Sequence, residues 1–166
     1  QVQQRIAAAC KRVERSPEEV LLVAVGKKFT ADVIREAADC GLTLFGENRV
    51  QEAMGKWSDL KAAHPDLRLH LIGPLQTNKV KDAVALFDVI ETVDRPKLAR
   101  ALAREMKTQG RSLNCFIQVN TGEEPQKAGI LPDDTDAFIA LVRDELGLNL
   151  SGLMCIPPQD EECSLH

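Results

Sequence analysis

Six times along the chain a short apolar run is followed by a segment whose apolar residues recur at helical spacing, with short links between. The runs are residues 21–28 (LLVAVGKK), 42–48 (LTLFGEN), 67–73 (LRLHLIG), 88–93 (DVIETV), 113–120 (LNCFIQVN) and 148–158 (LNLSGLMCIPP). The helical stripes between them carry Val33, Ile34 and Ala37; Val50, Met54, Trp57 and Leu60; Val80, Val84 and Phe87; Leu98, Leu102 and Met106; and Phe138, Leu141, Val142 and Leu146. Strict alternation of this kind implies right-handed crossovers and a parallel sheet. It leaves two architectures, an open doubly wound sheet or a (β/α)8 barrel of TIM type.

Punctuation supports the alternation. A leading helix over residues 1–15 turns Val2, Ile6, Ala9 and Val13 to the domain. Ser16-Pro17-Glu18-Glu19 reads as an N-cap, a first-turn proline and two acids before the first strand. Thr30 and Asp94 are candidate caps, and Gly41 and Gly110 candidate stops. A dinucleotide-binding sheet carries G-x-G-x-x-G after its first strand, whereas here the residues are Gly26-Lys27-Lys28-Phe29-Thr30. The barrel is therefore expected, as a single domain over residues 1–166 with about six of its eight units present and the last two missing from its C-terminal end.

The first run holds the candidate chemistry. Five apolar residues closed by Gly26 and two lysines read as a buried parallel strand, and ligands of α/β proteins bind at strand C-terminal ends. A lysine walled there by apolar side chains loses hydration of its ammonium, so that the free amine becomes available to a carbonyl. Alternation sets Lys27 with Leu21, Val23 and Val25, and Lys28 with Leu22 and Ala24. Spacing alone does not choose between them, and a solvated strand-end lysine is the plain competitor.

Composition narrows the classes. A net charge of -4 and pI of about 5.4 give no footprint for nucleic acid, and the apolar runs fall far short of a membrane span. Neither nucleic acid nor membrane is expected as a partner, and the expected location is cytoplasmic. Five cysteines without C-x-x-C spacing suggest reduced thiols, and no metal-ligand cluster is seen.

Four segments together, VAVGK at 23–27, FGENRVQE at 45–52, HLIGPLQTNK at 70–79 and GLMCIPP at 152–158, resemble the pyridoxal 5'-phosphate homeostasis protein family (YggS/PROSC-like). The likeness extends through ETVDR after the fourth strand and KAGI at 127–130, with order and spacing kept. It implies the alanine racemase N-terminal-domain-like barrel, fold type III of the pyridoxal phosphate (PLP) proteins. It also implies that Lys27 is the Schiff-base lysine for PLP and that Lys28 is its solvated neighbour. Gly26 departs from the serine usual in that family. Asn48 is implied within reach of the cofactor's phenolic oxygen, with capping of the next helix as the competing reading. His70 and Met154 are further cofactor-lining candidates, each with packing as its alternative. Glu47 and Gln51 read as helix-start and rim residues. Lys127 reads as a solvated surface charge, against a second cofactor site. The family's phosphate-binding segments, which follow the sixth unit, are not among these residues.

The function implied is a vitamin B6 protein that holds PLP on Lys27 and serves PLP homeostasis without an established turnover. PLP-requiring apoenzymes are its further candidate partners. The alternative is a PLP-dependent racemase of alanine-racemase type, which uses a tyrosine as second base; these 166 residues include none. A Schiff-base aldolase and a plain interaction module are the remaining readings.

Overall fold

The computed structural model describes residues 1–157. Six strands form one all-parallel sheet in the order β1 (Ala24–Val25), β2 (Leu44–Glu47), β3 (Arg68–Leu71), β4 (Val89–Val93), β5 (Asn114–Val119) and β6 (Asn149–Cys155). Each strand pairs with its neighbour in sequence. That order has no switch point and is the order of a barrel wall, not of a doubly wound sheet. The last residue of the expected sixth strand, Pro158, lies outside the described residues.

Helices α1 (Val2–Arg12), α2 (Ala31–Asp39), α3 (Val50–Ala63), α4 (Val80–Leu86), α5 (Pro96–Gln109) and α6 (Thr135–Ala140) accompany the strands, and a π-helical turn over Leu141–Glu145 extends the last. The sheet's ladder shows which strand face they cover. Phe45 pairs with Leu69, and both are buried with Trp57, Leu60 and Val84 of the helices. Gly46 pairs with His70 on the opposite face, which lines the barrel interior. Each large side chain buried between sheet and helices contributes about 1.5–3 kcal/mol. Gly110 stops α5 in the left-handed conformation, and Arg111 N returns to Met106 O at 2.9 Å.

The sheet curls. A cleft of about 250 Å³ is lined together by Ile72 beyond β3, Gln118 of β5 and Ile156 beyond β6. At the other end Leu21, ahead of β1, shares a cleft with Phe116 of β5. Strands far apart in order thus face one another across the interior.

Several local expectations are corrected. The first strand is two residues, shorter than the five-residue apolar run, and that run is not buried: Leu21 is 73% exposed and Val25 42%. β1 is an edge strand with β2 as its only partner among the described residues, so its apolar run gains no second neighbour. In α1 the buried residue is Cys10, while Val2 and Val13 are exposed, because the helix ends at Arg12 and presents a different stripe. In α3 the buried series is Val50, Ala53, Trp57 and Leu60, with Met54 exposed, one residue round from the expected stripe. Val33 of α2 is exposed beside buried Ile34. Of the expected caps, Ser16 Oγ accepts from Glu18 N at 3.4 Å. Thr30 sits at the N-cap of α2 without a side-chain bond. At α5 the N-cap is Arg95, whose guanidinium instead ion-pairs with Asp94.

Candidate functional site at the C-terminal ends of β1 and β2

Strand geometry carries the chain only as far as Gly26, whose N–H donates to Gly46 O at 2.9 Å. Beyond it the chain turns. Phe29 N donates to Gly26 O at 3.2 Å, and Lys28 holds the left-handed conformation at φ 67°. Lys27 and Lys28 are therefore the two central residues of a tight turn, both exposed. The apolar walls expected around a strand-end lysine are absent among the described residues, because the edge strand leaves that side of the turn open. Strand alternation also stops short of the pair, so alternation does not decide between the two amines.

Asn48 follows the last residue of β2. The β1–β2 ladder pairs Val25 with Gly46, so the turn bearing Lys27 leaves β1 beside the end of β2 that leads to Asn48. Gly73 packs against the Asn48 backbone: a Cβ there would lie 2.3 Å from Asn48 O. Asn48, Arg49, Gln51 and Lys79 line a cleft of about 640 Å³ together with Pro74 and Gln76. The amide and the two cations lining this cleft are donors suited to an anionic or phenolic oxygen, and the amine-bearing turn, which does not line the cleft, is suited to an aldehyde. These residues fit the aldehyde and phenolic oxygen of PLP.

Other expected residues lie farther off. His70 is on the interior face one layer toward the N-terminal end, where its Nδ1 is 2.6 Å from Glu91 Oε1. It lines the cleft at the N-terminal end of the strands, with Arg68 and Asp88. Met154 stands on β6 opposite Gln118. The structure thus brings Lys27 and Asn48 to adjacent strand ends, but seats His70 deeper and Met154 on the far edge strand.

Two residues are corrected outright. Glu47 is not a rim residue; it is fully buried as the last residue of β2, on the helix-facing side. Its Oε1 accepts from Trp57 Nε1 at 3.0 Å and pairs with Lys56 Nζ at 2.6 Å. Lys127 is not a free surface charge. Its Nζ reaches Glu124 Oε1 at 2.5 Å, Pro157 O at 3.1 Å and Ile156 O at 3.3 Å, tying the loop after β5 to the end of β6. Lys56 had no signal in the sequence, since its position on α3 looks like a solvated helix face.

The family model of the alanine racemase N-terminal domain matches residues 2–164. The pyridoxal phosphate homeostasis protein of Escherichia coli is 40% identical over 163 residues, covering 98% of this chain and 70% of that one. That of Pseudomonas aeruginosa is 39% identical over the same span. The chain belongs to the pyridoxal phosphate homeostasis protein family. Among solved structures, PipY of Synechococcus elongatus with PLP bound superposes at a TM-score of 0.81 with 38% identity, covering 99% of this chain and 74% of that one. A protein from Bifidobacterium adolescentis reaches 0.92 at 30% identity, covering 99% and 70%. Alanine racemase of Clostridium difficile, at 0.63 and 13% identity, shares the fold. No helix among the described residues is long and apolar enough to cross a membrane.

Proposed function

We propose that this chain binds pyridoxal phosphate covalently through the ε-amine of Lys27 and holds it as a protein-bound reserve in the cytoplasm, passing it to apoenzymes that require it. Bound PLP supplies an aldehyde, which condenses with a neutral amine with loss of one water and is freed by the reverse reaction. The supporting observation is the lysine-bearing turn at the end of β1, beside the end of β2 that leads to Asn48, in a chain 40% identical to a homeostasis protein. In this reading Lys28 is the solvated neighbour and Asn48 donates from its amide to a cofactor oxygen. Met154 and His70 line the interior. The likeness to alanine racemase is one of fold and lends no support to racemisation.

The test is to purify the chain from cells, record its visible absorption, reduce it with borohydride and map the modified lysine by mass spectrometry. A visible band that is lost on reduction, with the adduct on Lys27, is the expected result. No band after addition of PLP to the folded protein overturns the proposal.

A further inference from the structure

Two adjacent amines occupy one turn, and what holds that turn is a half-buried cation on another element. Lys56 Nζ, from α3, donates to Gly26 O at 2.9 Å and to Phe29 O at 3.2 Å, the carbonyls that bracket Lys27 and Lys28. The same ammonium lies 2.6 Å from Oε1 of the fully buried Glu47, and its side chain is only 13% exposed. Glu47 in turn stands directly under the turn: a Cβ on Gly26 would come within 2.7 Å of its Oε1. The second carboxylate oxygen, Oε2, is buried with no hydrogen-bond donor among the described residues, so Lys56 is the charge that balances it. A tight turn with a non-glycine residue at φ 67° is held against an intrinsic cost, and here a charged donor fastens both of its ends.

We infer that Lys56 is a positioning residue: anchored by Glu47, it locks the Gly26–Phe29 turn in the form that presents Lys27, and not Lys28, to the cofactor. The inference rests on the reading of Lys27 as the attachment point. A lysine and its immediate neighbour have the same chemistry, so selection between them has to come from the backbone that aims them. Lys56 bonds to that backbone on both sides of the pair.

The test compares the intact chain with Lys56→Met and with the double variant Glu47→Gln/Lys56→Met, which leaves no unpaired buried charge and keeps an acceptor for Trp57 if the single variant does not fold. One readout needs no cofactor. Limited trypsin digestion is followed at the 27–28 and 28–29 bonds against the Arg15–Ser16 bond, which reports general loosening. The other is the ratio of Lys27 to Lys28 adducts after PLP addition and borohydride reduction. The expected result is faster cutting in the turn alone and a ratio that falls by about tenfold, the scale of a lost charged hydrogen bond. Turn cutting that rises no more than cutting at Arg15–Ser16 overturns the clamp. Faster turn cutting with an unchanged adduct ratio overturns the selection. An intact chain with no adduct on either lysine is distinct from both: it removes the Lys27 reading, and the selection with it.

Discussion

Trp57 Nε1 donates to Glu47 Oε1 at 3.0 Å, so the indole of α3 is both a core side chain and the neutral partner of a buried carboxylate at the end of β2. Its ring also meets Phe45 at a tilt, with centroids 5.3 Å apart and planes at 57°. Trp57→Phe keeps part of the packing but removes the donor. It is expected to cost about 1–3 kcal/mol, whereas Trp57→Ala adds a large cavity and costs about 3–5 kcal/mol. Denaturant unfolding of the two variants checks the order.

Asp88 fastens the other end of the barrel. Its Oδ2 accepts from Leu69 N at 2.7 Å and from Lys61 Nζ at 2.6 Å, and Lys61 also donates to Leu86 O at 2.9 Å. One carboxylate thus links α3, the end of α4 and the start of two strands. Asp88→Ala leaves a backbone N–H and a half-buried ammonium without their acceptor, at a cost of about 2–4 kcal/mol. Because this cluster lies at the strand end away from Lys27, the retained folded fraction is expected to take up PLP normally, as measured by absorption titration.

The alternation of strands and helices was legible because apolar periodicity reports the core directly, and Phe45, Leu69, Ile90 and Ile117 from four of the apolar runs are buried in it. The same logic failed at LLVAVGKK. An apolar run says that a strand wants neighbours on both sides, not that it has them, and β1 has one among the described residues. At the site, the change from apolar to polar residues marked the end of the first strand and its lysine pair, whereas the choice of Lys27 over Lys28 and the reading of Asn48 rested on the family resemblance. Glu47 and Lys56 could not: a buried ion pair formed between a strand end and a helix nine residues on looks in sequence like two ordinary surface charges. Only their convergence on Gly26 and Trp57 reveals them.

Thiol reactivity should divide by burial. Burial pushes the Cys115 thiol up from 9.0 to about 12, so it remains protonated at neutral pH, and Cys10 is also buried. Cys40 and Cys155 are exposed. Alkylation of the native protein at neutral pH is expected to label Cys40 and Cys155 and to spare Cys10 and Cys115 until denaturant is added. The raised folded value means that Cys115's contribution to stability is whole below pH 9.0 and is lost as pH climbs through about 12. Melting temperatures measured between those limits should fall with pH, and less so in Cys115→Ala, compared with its own value at neutral pH.

Asn48 separates binding from attachment. If its amide donates to the cofactor, Asn48→Ala should weaken PLP retention by about tenfold, the loss of one good hydrogen bond, while the adduct still forms on Lys27. Lys27→Ala should abolish the adduct on that turn. Dialysis of the loaded variants, followed by absorption, distinguishes a weakened site from an absent one.

Three glycines give a paired test of the packing around the site. Gly73→Ala would drive a Cβ to 2.3 Å from Asn48 O and 2.7 Å from Asn48 Cα, both backbone atoms that cannot swing aside. Thr92 Oγ1 also donates to Gly73 O at 2.8 Å, so the Gly73 backbone is held from the other direction. The substitution is expected to cost about 2–3 kcal/mol and to shift Asn48, lowering PLP retention as well as stability. Gly26→Ala meets the Glu47 carboxylate at 2.7 Å; a side chain can yield where backbone cannot, but this one is already bound by Lys56 and Trp57, so a smaller loss of about 1–2 kcal/mol is expected. Gly55 is the control. It lies within α3, where an added methyl meets nothing within 4 Å, so Gly55→Ala should raise stability by about 0.5–1 kcal/mol through helix propensity alone. Equal effects of the three substitutions would mean that neither the Asn48 nor the Glu47 contact constrains the backbone there.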